Sequence, residues 1–216
     1  LAMPSVPLKR RQEIIQDIAI GIPHISVQMV PGIEELLESS LSGNDVSRVY
    51  DDILGRAPVA PDESLLHQCI FDRVVMVTGA AGSIGSELCR QIVMNKPRKL
   101  LLIDMNEYGL YKIEQELRQT GMLDQSESVE ILSLLGNVTD MRRMIHVMRT
   151  FGVQTIYHAA AYKHVPIVES NVIEGVRNNV LGTWALVRAA AEAEIETFVL
   201  ISTDKAVRPT SVMGAS

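Results

Sequence analysis

The stretch Val74–Leu88, VVMVTGAAGSIGSEL, constrains the fold of this chain more than any other. Four consecutive apolar residues, Val74 to Val77, read as a strand buried on both faces, as in a parallel sheet. Glycines at Gly79, Gly82 and Gly85 make a tight turn, and Ser86 to Val93 reads as a helix. Strand, glycine turn and helix is the layout that sets a pyrophosphate on a helix N-terminus. Gly79 permits the sharp turn. Gly82 lets backbone N–H groups approach the phosphates, and Gly85 lets the helix lie close on the strand. Ser83 and Ile84, at the helix entry, count with them as cofactor-binding positions. Taken alone, the three glycines also fit an ordinary glycine-rich turn.

The context separates these readings. A dinucleotide site requires a preceding strand, a following helix and an acidic residue about 20 positions further on. Leu100 to Ile103 is a second apolar run, and it ends in Asp104. A carboxylate there can accept hydrogen bonds from an adenosine ribose, which favours NAD over NADP. The alternative for Asp104 is a helix N-cap.

Composition narrows the classes that remain. A net charge of -6 argues against a nucleic-acid binder, which would carry a basic face. No apolar run reaches the roughly 18 residues needed to span a bilayer, and Leu1 to Ser5 does not read as a signal peptide. Two cysteines, Cys69 and Cys89, are too few and too scattered for a disulfide framework or a zinc site. No metal site is expected, and a reduced, cytoplasmic setting is. The start without Met and the stop at Ser216 suggest a piece of a longer protein.

Residues 1–70 differ in character from the rest. They hold 5 Lys and Arg against 10 Asp and Glu, so they carry -5 of the total charge of -6. Arg10 to Ile20 has apolar residues at helical spacing, Ile25 to Val30 alternates as a strand does, and Ile33 to Leu41 fits a short helix. Residues 1–42 are therefore expected to be the end of a preceding α/β domain, and 43–70 a linker. Residues 71–216 are expected to form a doubly wound, Rossmann-type parallel sheet that is incomplete at its C-terminus. Strands are expected at 74–78, 100–104, 129–134, 154–158 and 197–202. Helices are expected at 83–95, 107–120, 140–150 (capped by Asn137 or Thr139) and, without a break, 173–194.

In such a sheet a ligand lies beyond the carboxyl ends of the strands. After the third strand, Asn137 and Val138 can meet an adenine edge and face, or merely turn the chain into a helix. After the fourth come Ala159, Ala160 and Ala161, small enough for close backbone approach to a cofactor. Lys163 and His164 follow as candidate substrate contacts. A lone His is usually packed or solvated, so neither His164 nor, still less, His158 reads as a catalyst. Asn179, in the run NNVLGT, sets an amide on a helix facing the cofactor. After the fifth, Thr203, Asp204 and Lys205 place a hydroxyl, a carboxylate and an amine side by side. A solvated turn uses the same residue types.

TGAAGSIGSEL, LLIDMNEYGLYKIEQEL, HAAAYKHVPIVE, NNVLGT and STDKAVRPTSVMGAS occur in this order in one group of extended short-chain dehydrogenases, which share the G-x-x-G-x-x-G spacing. Residues 71–216 resemble the nucleoside-diphosphate-sugar 4,6-dehydratases of bacterial polysaccharide biosynthesis. Within them the likeness is to the large, membrane-anchored UDP-N-acetylglucosamine 4,6-dehydratases. Residues 1–70 resemble that group's preceding domain, with VSRVYDDILGR similar to its linker. The resemblance implies NAD as a recycled cofactor and a UDP-sugar as substrate. It implies oxidation at C4, loss of the C5 proton and the C6 hydroxyl, and return of hydride to C6. By motif, Asp204 would be the acid that expels water, Lys205 the base at C5, and Thr203 a hydrogen-bond partner of the C4 oxygen.

Two departures from the wider superfamily stand out. Met213 occupies the position of its usual catalytic Tyr, as in the large dehydratases, and the paired Lys would follow Ser216. Asn137 replaces the Asp usual in the adenine-side turn. A 4-epimerase of the same superfamily would be expected to keep the Tyr. A non-catalytic NAD-binding module would leave Thr203, Asp204 and Lys205 without a purpose. The full-length protein is expected to be a homo-oligomer anchored to the inner membrane by helices before residue 1. The 216-residue piece alone is expected to hold NAD weakly or not at all, and to be inactive.

Overall fold

The computed structural model describes residues 62–119 and 129–216, together with Ile14. The chain divides into two compact units, Leu1–Ala60 and Pro61–Ser216. The helices and strand expected between residues 10 and 41, the body of the linker and the turn at 121–128 lie outside the described residues.

The second unit begins with α1 (Glu63–Ile70), in the last part of the stretch read as a linker. The physical reason is a cap and an apolar face. Asp62 Oδ1 accepts from the backbone N–H groups of Ser64 (3.0 Å) and Leu65 (3.2 Å), which closes the first turn. Ile70 is buried in the core, with Leu66 and Cys69 packed against it.

Strands and helices then alternate: β1 (Val74–Thr78), α2 (Ser83–Met94), β2 (Lys99–Asp104), α3 (Glu107–Gln119), β3 (Glu130–Leu135), α4 (Met141–Phe151) and β4 (Thr155–His158). After β4 come α5 (Val165–Ser170), α6 (Val172–Val176), a π-helical turn at Arg177–Gly182, α7 (Thr183–Glu192) and β5 (Thr197–Leu200). A 3-10 turn at Asp204–Ala206 and the short α8 (Val212–Ala215) complete the described chain. The strands form one parallel sheet in the order β3-β2-β1-β4-β5. This is the α/β Rossmann-type architecture that the alternation of elements implies.

The central strand β1 is buried along its whole length, as its unbroken apolar run requires. Its side chains alternate between two cores. Val75 and Val77 pack with Cys89, Ile92 and Val93 of α2 and with Leu110, Ile113 and Leu117 of α3. Val74 and Met76 pack on the other face with Met144, Val147 and Met148 of α4 and Leu186 and Ala189 of α7. A sheet covered on both faces leaves only its strand ends open, and those ends carry the site.

Three local features differ from the expectations. Asp140, not Asn137 or Thr139, caps α4, its Oδ1 accepting from Arg143 N at 3.0 Å. Asn137 Oδ1 instead accepts from Thr139 N (2.9 Å) and Thr139 Oγ1 (2.8 Å), a local turn before the helix. The helix expected over 173–194 is broken by the π turn, which buries Asn178, Asn179 and Gly182. Single π turns inside helices mark places where side chains are re-aimed. Finally, α5 forms between β4 and residue 173, where no helix was expected, with Pro166 in its first turn. Among the described residues, no helix is long and apolar enough to cross a membrane.

Candidate dinucleotide cleft and the turn beyond β5

The glycine turn does what its spacing implies. Gly79 has φ of +73°, and its N–H donates to the Ile103 carbonyl at 2.9 Å. A Cβ at Gly79 would lie 2.6 Å from Ala160 N, and one at Gly85 would lie 1.9 Å from the Gly79 carbonyl oxygen. Both places therefore require glycine. The first brings the turn against the end of β4, and the second sinks α2 onto the turn.

A cleft opens at the carboxyl ends of β1, β2, β3 and β4. Gly79 and Gly82 form its floor, Asp104 and Met105 one wall, Asn137 and Val138 another, and Ala159 to Tyr162 with Asn178 the side toward β4. Asp104 binds the turn it faces. Its Oδ2 accepts from Ala81 N at 3.0 Å and its Oδ1 from Asn106 N at 2.9 Å. The helix cap considered for Asp104 falls to Asn106, whose Oδ1 accepts from Gly109 N at 3.0 Å. A backbone cradle without side chains, a carboxylate at the second strand end and small residues at the fourth fit an adenine dinucleotide.

The remaining expected cofactor and substrate positions do not line this cleft. Ser83 and Ile84 are exposed on the first turn of α2, while Gly85 is buried behind the turn. Lys163 and His164 are exposed where the chain enters α5. Asn179 was expected to face the cofactor, but its amide is committed within the protein. Its Oδ1 accepts from Tyr162 N (2.8 Å) and Asn178 Nδ2 (3.1 Å). Its Nδ2 donates to the Tyr162 carbonyl and to Ser216 Oγ, both at 3.0 Å. Two lone pairs and two N–H groups are all used. Asn178 is the neighbour that lines the cleft.

Thr203, Asp204 and Lys205 are exposed on the turn after β5. The Thr203 hydroxyl donates to Asp204 Oδ1 at 3.0 Å and accepts from Lys205 N at 3.4 Å. Met213 is buried in α8. Because β5 runs parallel to β4, this turn lies at the same end of the sheet as the cleft.

Residues that sequence reasoning missed are Met105, Tyr162 and Asn178 on the cleft wall, and a buried chain of hydrogen bonds beneath it. His158 Nδ1 lies 2.7 Å from Thr78 Oγ1, and its Nε2 lies 2.9 Å from Thr183 Oγ1. Burial pushes the imidazole down to about 4, so it is neutral at physiological pH. Its place just before Ala159 was the available signal.

The family described as polysaccharide biosynthesis protein matches residues 75–216, from the second residue of β1 through the turn beyond β5. The chain belongs to that family. A member named capsular polysaccharide biosynthesis protein CapD, from Staphylococcus aureus, is 40% identical over 217 residues, covering 100% of this chain and 35% of CapD. The chain thus spans about a third of that relative's length. A UDP-glucose 4-epimerase of Rickettsia canadensis is 30% identical over 67% of this chain and 40% of its own length. An inverting UDP-N-acetylglucosamine 4,6-dehydratase of Campylobacter jejuni is 31% identical over 66% of this chain and 40% of its own. Solved structures agree on the fold. One is a UDP-glucose 4-epimerase from Stenotrophomonas maltophila with bound NAD, at TM-score 0.56 and 20% identity, covering 66% of this chain and 45% of that one. Another is the dTDP-glucose 4,6-dehydratase DesIV from Streptomyces venezuelae, at TM-score 0.54 and 22% identity, covering 65% and 47%. Family membership marks the chain as a polysaccharide biosynthesis protein, and the solved structures agree on its α/β Rossmann-type fold.

Proposed function

We propose that residues 71–216 are the NAD-binding part of a 4,6-dehydratase that acts on UDP-N-acetylglucosamine. The observation that supports this most is one placement: the Thr203–Asp204–Lys205 turn stands at the sheet end that carries the glycine cradle and Asp104. The cradle and the Asp104 carboxylate hold the dinucleotide, with Asn137 and Val138 toward the adenine and the alanines after β4 toward the nicotinamide. The bound NAD supplies the hydride acceptor for C4 and the donor for C6. Thr203 hydrogen-bonds the C4 oxygen. As C4 is oxidised, its hydroxyl proton passes to water. Lys205 takes the C5 proton that the 4-keto group has made acidic and returns it to C5 when hydride reaches C6, and Asp204 protonates the departing C6 hydroxyl, which leaves as water. The sugar keeps its carbon count and loses one water, giving a 4-keto-6-deoxy product. Lys163 and His164, exposed before α5, serve as contacts to the sugar nucleotide.

The second reading is 4-epimerisation, favoured by the 30% identity to a UDP-glucose 4-epimerase. Met213 speaks against it, because a 4-epimerase of this superfamily would be expected to keep a Tyr at that position, whereas the large dehydratases that this chain resembles carry Met there. Incubating the full-length protein with UDP-N-acetylglucosamine and reading the product by NMR tests both. Dehydration gives a C6 methyl signal, and epimerisation gives an inverted C4 with C6 still hydroxylated. Asp204→Asn and Lys205→Met should each abolish the methyl product while leaving bound NAD in place. Full activity in both variants would remove the assignment.

Whether the full-length protein is a homo-oligomer held at the inner membrane by segments before Leu1 belongs to the same proposal. Size measurement with membrane fractionation of the full-length protein tests it, and a soluble monomer would refute it.

A further inference from the structure

Glu169 lies in none of the positions read above as catalytic or cofactor-binding. It sits on α5, and its Oε1 accepts from Val212 N at 2.7 Å, a contact spanning 43 positions of sequence. Val212 opens α8, so this N–H is one that the helix itself cannot satisfy. A side-chain oxygen at that place accepts this N–H and completes the first turn.

What α8 touches gives the contact its meaning. Gly214 packs on the backbone of the turn after β5. A Cβ there would lie 2.4 Å from the Lys205 carbonyl oxygen and 3.2 Å from Pro209 Cβ. Any displacement of α8 is therefore passed to the peptide of Lys205. The segment between them does not hold itself: Arg208 has φ of +52°, the left-handed region that a non-glycine residue adopts only when its surroundings require it. Ser216, just past Ala215, is tied as well, its Oγ accepting from Asn179 Nδ2 at 3.0 Å. Val212 and Ser216 are thus both held by elements that follow β4.

We infer that Glu169 is a positioning residue that clamps α8 and thereby fixes the Thr203–Asp204–Lys205 turn. This rests on the catalytic role proposed for that turn. The clamp acts through a backbone N–H, so it needs an acceptor and not a negative charge. Glu169→Gln therefore keeps it, and Glu169→Ala removes it. Gly214→Ala disturbs the same contact from the opposite side.

The test uses the full-length protein and two independent measurements. In Glu169→Ala, hydrogen exchange at residues 203–214 should rise about tenfold, with the sheet amides and NAD content unchanged. The rate constant for dehydration should fall by about the same factor with KM little altered. Glu169→Gln should return both to near the parent values, and Gly214→Ala should resemble Glu169→Ala. Unchanged exchange in Glu169→Ala overturns the inference. So does an equal loss in Glu169→Gln, which would mean that the carboxylate acts by charge or chemistry, and so does faster exchange without slower turnover. Faster exchange confined to 203–214 and restored by Gln in a protein that dehydrates nothing would uphold the clamp and refute only the reaction assigned to the turn.

Discussion

Thr78 Oγ1 and His158 Nδ1 meet at 2.7 Å across the neighbouring parallel strands β1 and β4, each at the last residue of its strand. The next residues, Gly79 and Ala159, both line the cleft. Through Nε2 the same imidazole reaches Thr183 at 2.9 Å, just after the π turn that presents Asn178. One buried ring thus joins the three segments that shape the cleft.

The first prediction concerns pH. The folded pKa of His158 lies near 4, below the 6.5 of a free imidazole, because burial disfavours the charged ring. Between these values the unfolded chain binds more protons than the folded one, so stability rises with pH. The contribution is complete above about pH 6.5 and is lost as pH falls toward 4. The shift corresponds to about 3 kcal/mol at most. Denaturant midpoints from pH 7 to 4 should fall in the parent, and less steeply in His158→Gln. Equal slopes would remove His158 as the cause.

A second prediction contrasts two glycines. Gly85→Ala would set a methyl 1.9 Å from the Gly79 carbonyl oxygen, backbone that cannot move aside without losing the turn. It should cost about 3 kcal/mol or more and abolish NAD binding. Gly152 caps α4 with φ of +63°, but nothing lies within 4 Å of its Cβ position. Gly152→Ala should cost about 1 kcal/mol, from backbone strain alone, with NAD affinity untouched. Thermal unfolding and calorimetric titration with NAD distinguish them.

The third prediction is for Asp104, which holds Ala81 N and Asn106 N. Removing its side chain in Asp104→Ala frees the turn and takes away the carboxylate proposed to accept from the ribose. NAD affinity should weaken by about tenfold or more. Asp104→Asn keeps one acceptor and should lose less, but without the charge its preference for NAD over NADP should narrow. Titrating both variants with both cofactors checks this, and an unchanged NAD/NADP ratio in Asp104→Asn would count against the ribose role.

The sheet was legible because its signals are local and strong. Val74 to Val77 and Leu100 to Ile103 are unbroken apolar runs, and Gly79 and Gly82 punctuate the chain between strand and helix. The π turn was not legible: Asn178, Asn179, Gly182 and Thr183 weaken the helical pattern there, but composition does not say that the chain widens into a π turn, and the tertiary hydrogen bonds of Asn179 are visible only in the fold. Met105 and Tyr162 look like any apolar residues beside a motif, and only the closing of β2 and β4 on one cleft brings them to its wall. Asn179 was read as facing a cofactor because sequence shows an amide but not its partners.

Those partners give the last prediction. Asn179 satisfies both backbone groups of Tyr162, the residue that ends the alanine segment of the cleft, and it is buried while doing so. Asn179→Ala leaves the Tyr162 N–H and carbonyl without this partner and should cost about 2–4 kcal/mol. Asn179→Asp keeps the shape but sets a carboxylate oxygen where an N–H faced the Tyr162 carbonyl, so it should be no better than Ala. Asn178 donates one hydrogen bond, to Asn179 Oδ1 at 3.1 Å, and Asn178→Ala should cost only about 1 kcal/mol. Its effect should appear instead in NAD affinity, because its side chain stands on the cleft wall. Chemical denaturation of the three variants, alongside NAD titration, separates the residue that shapes the wall from the one that forms it. Equal stability loss in Asn178→Ala and Asn179→Ala would show that the grip on Tyr162 carries no special weight.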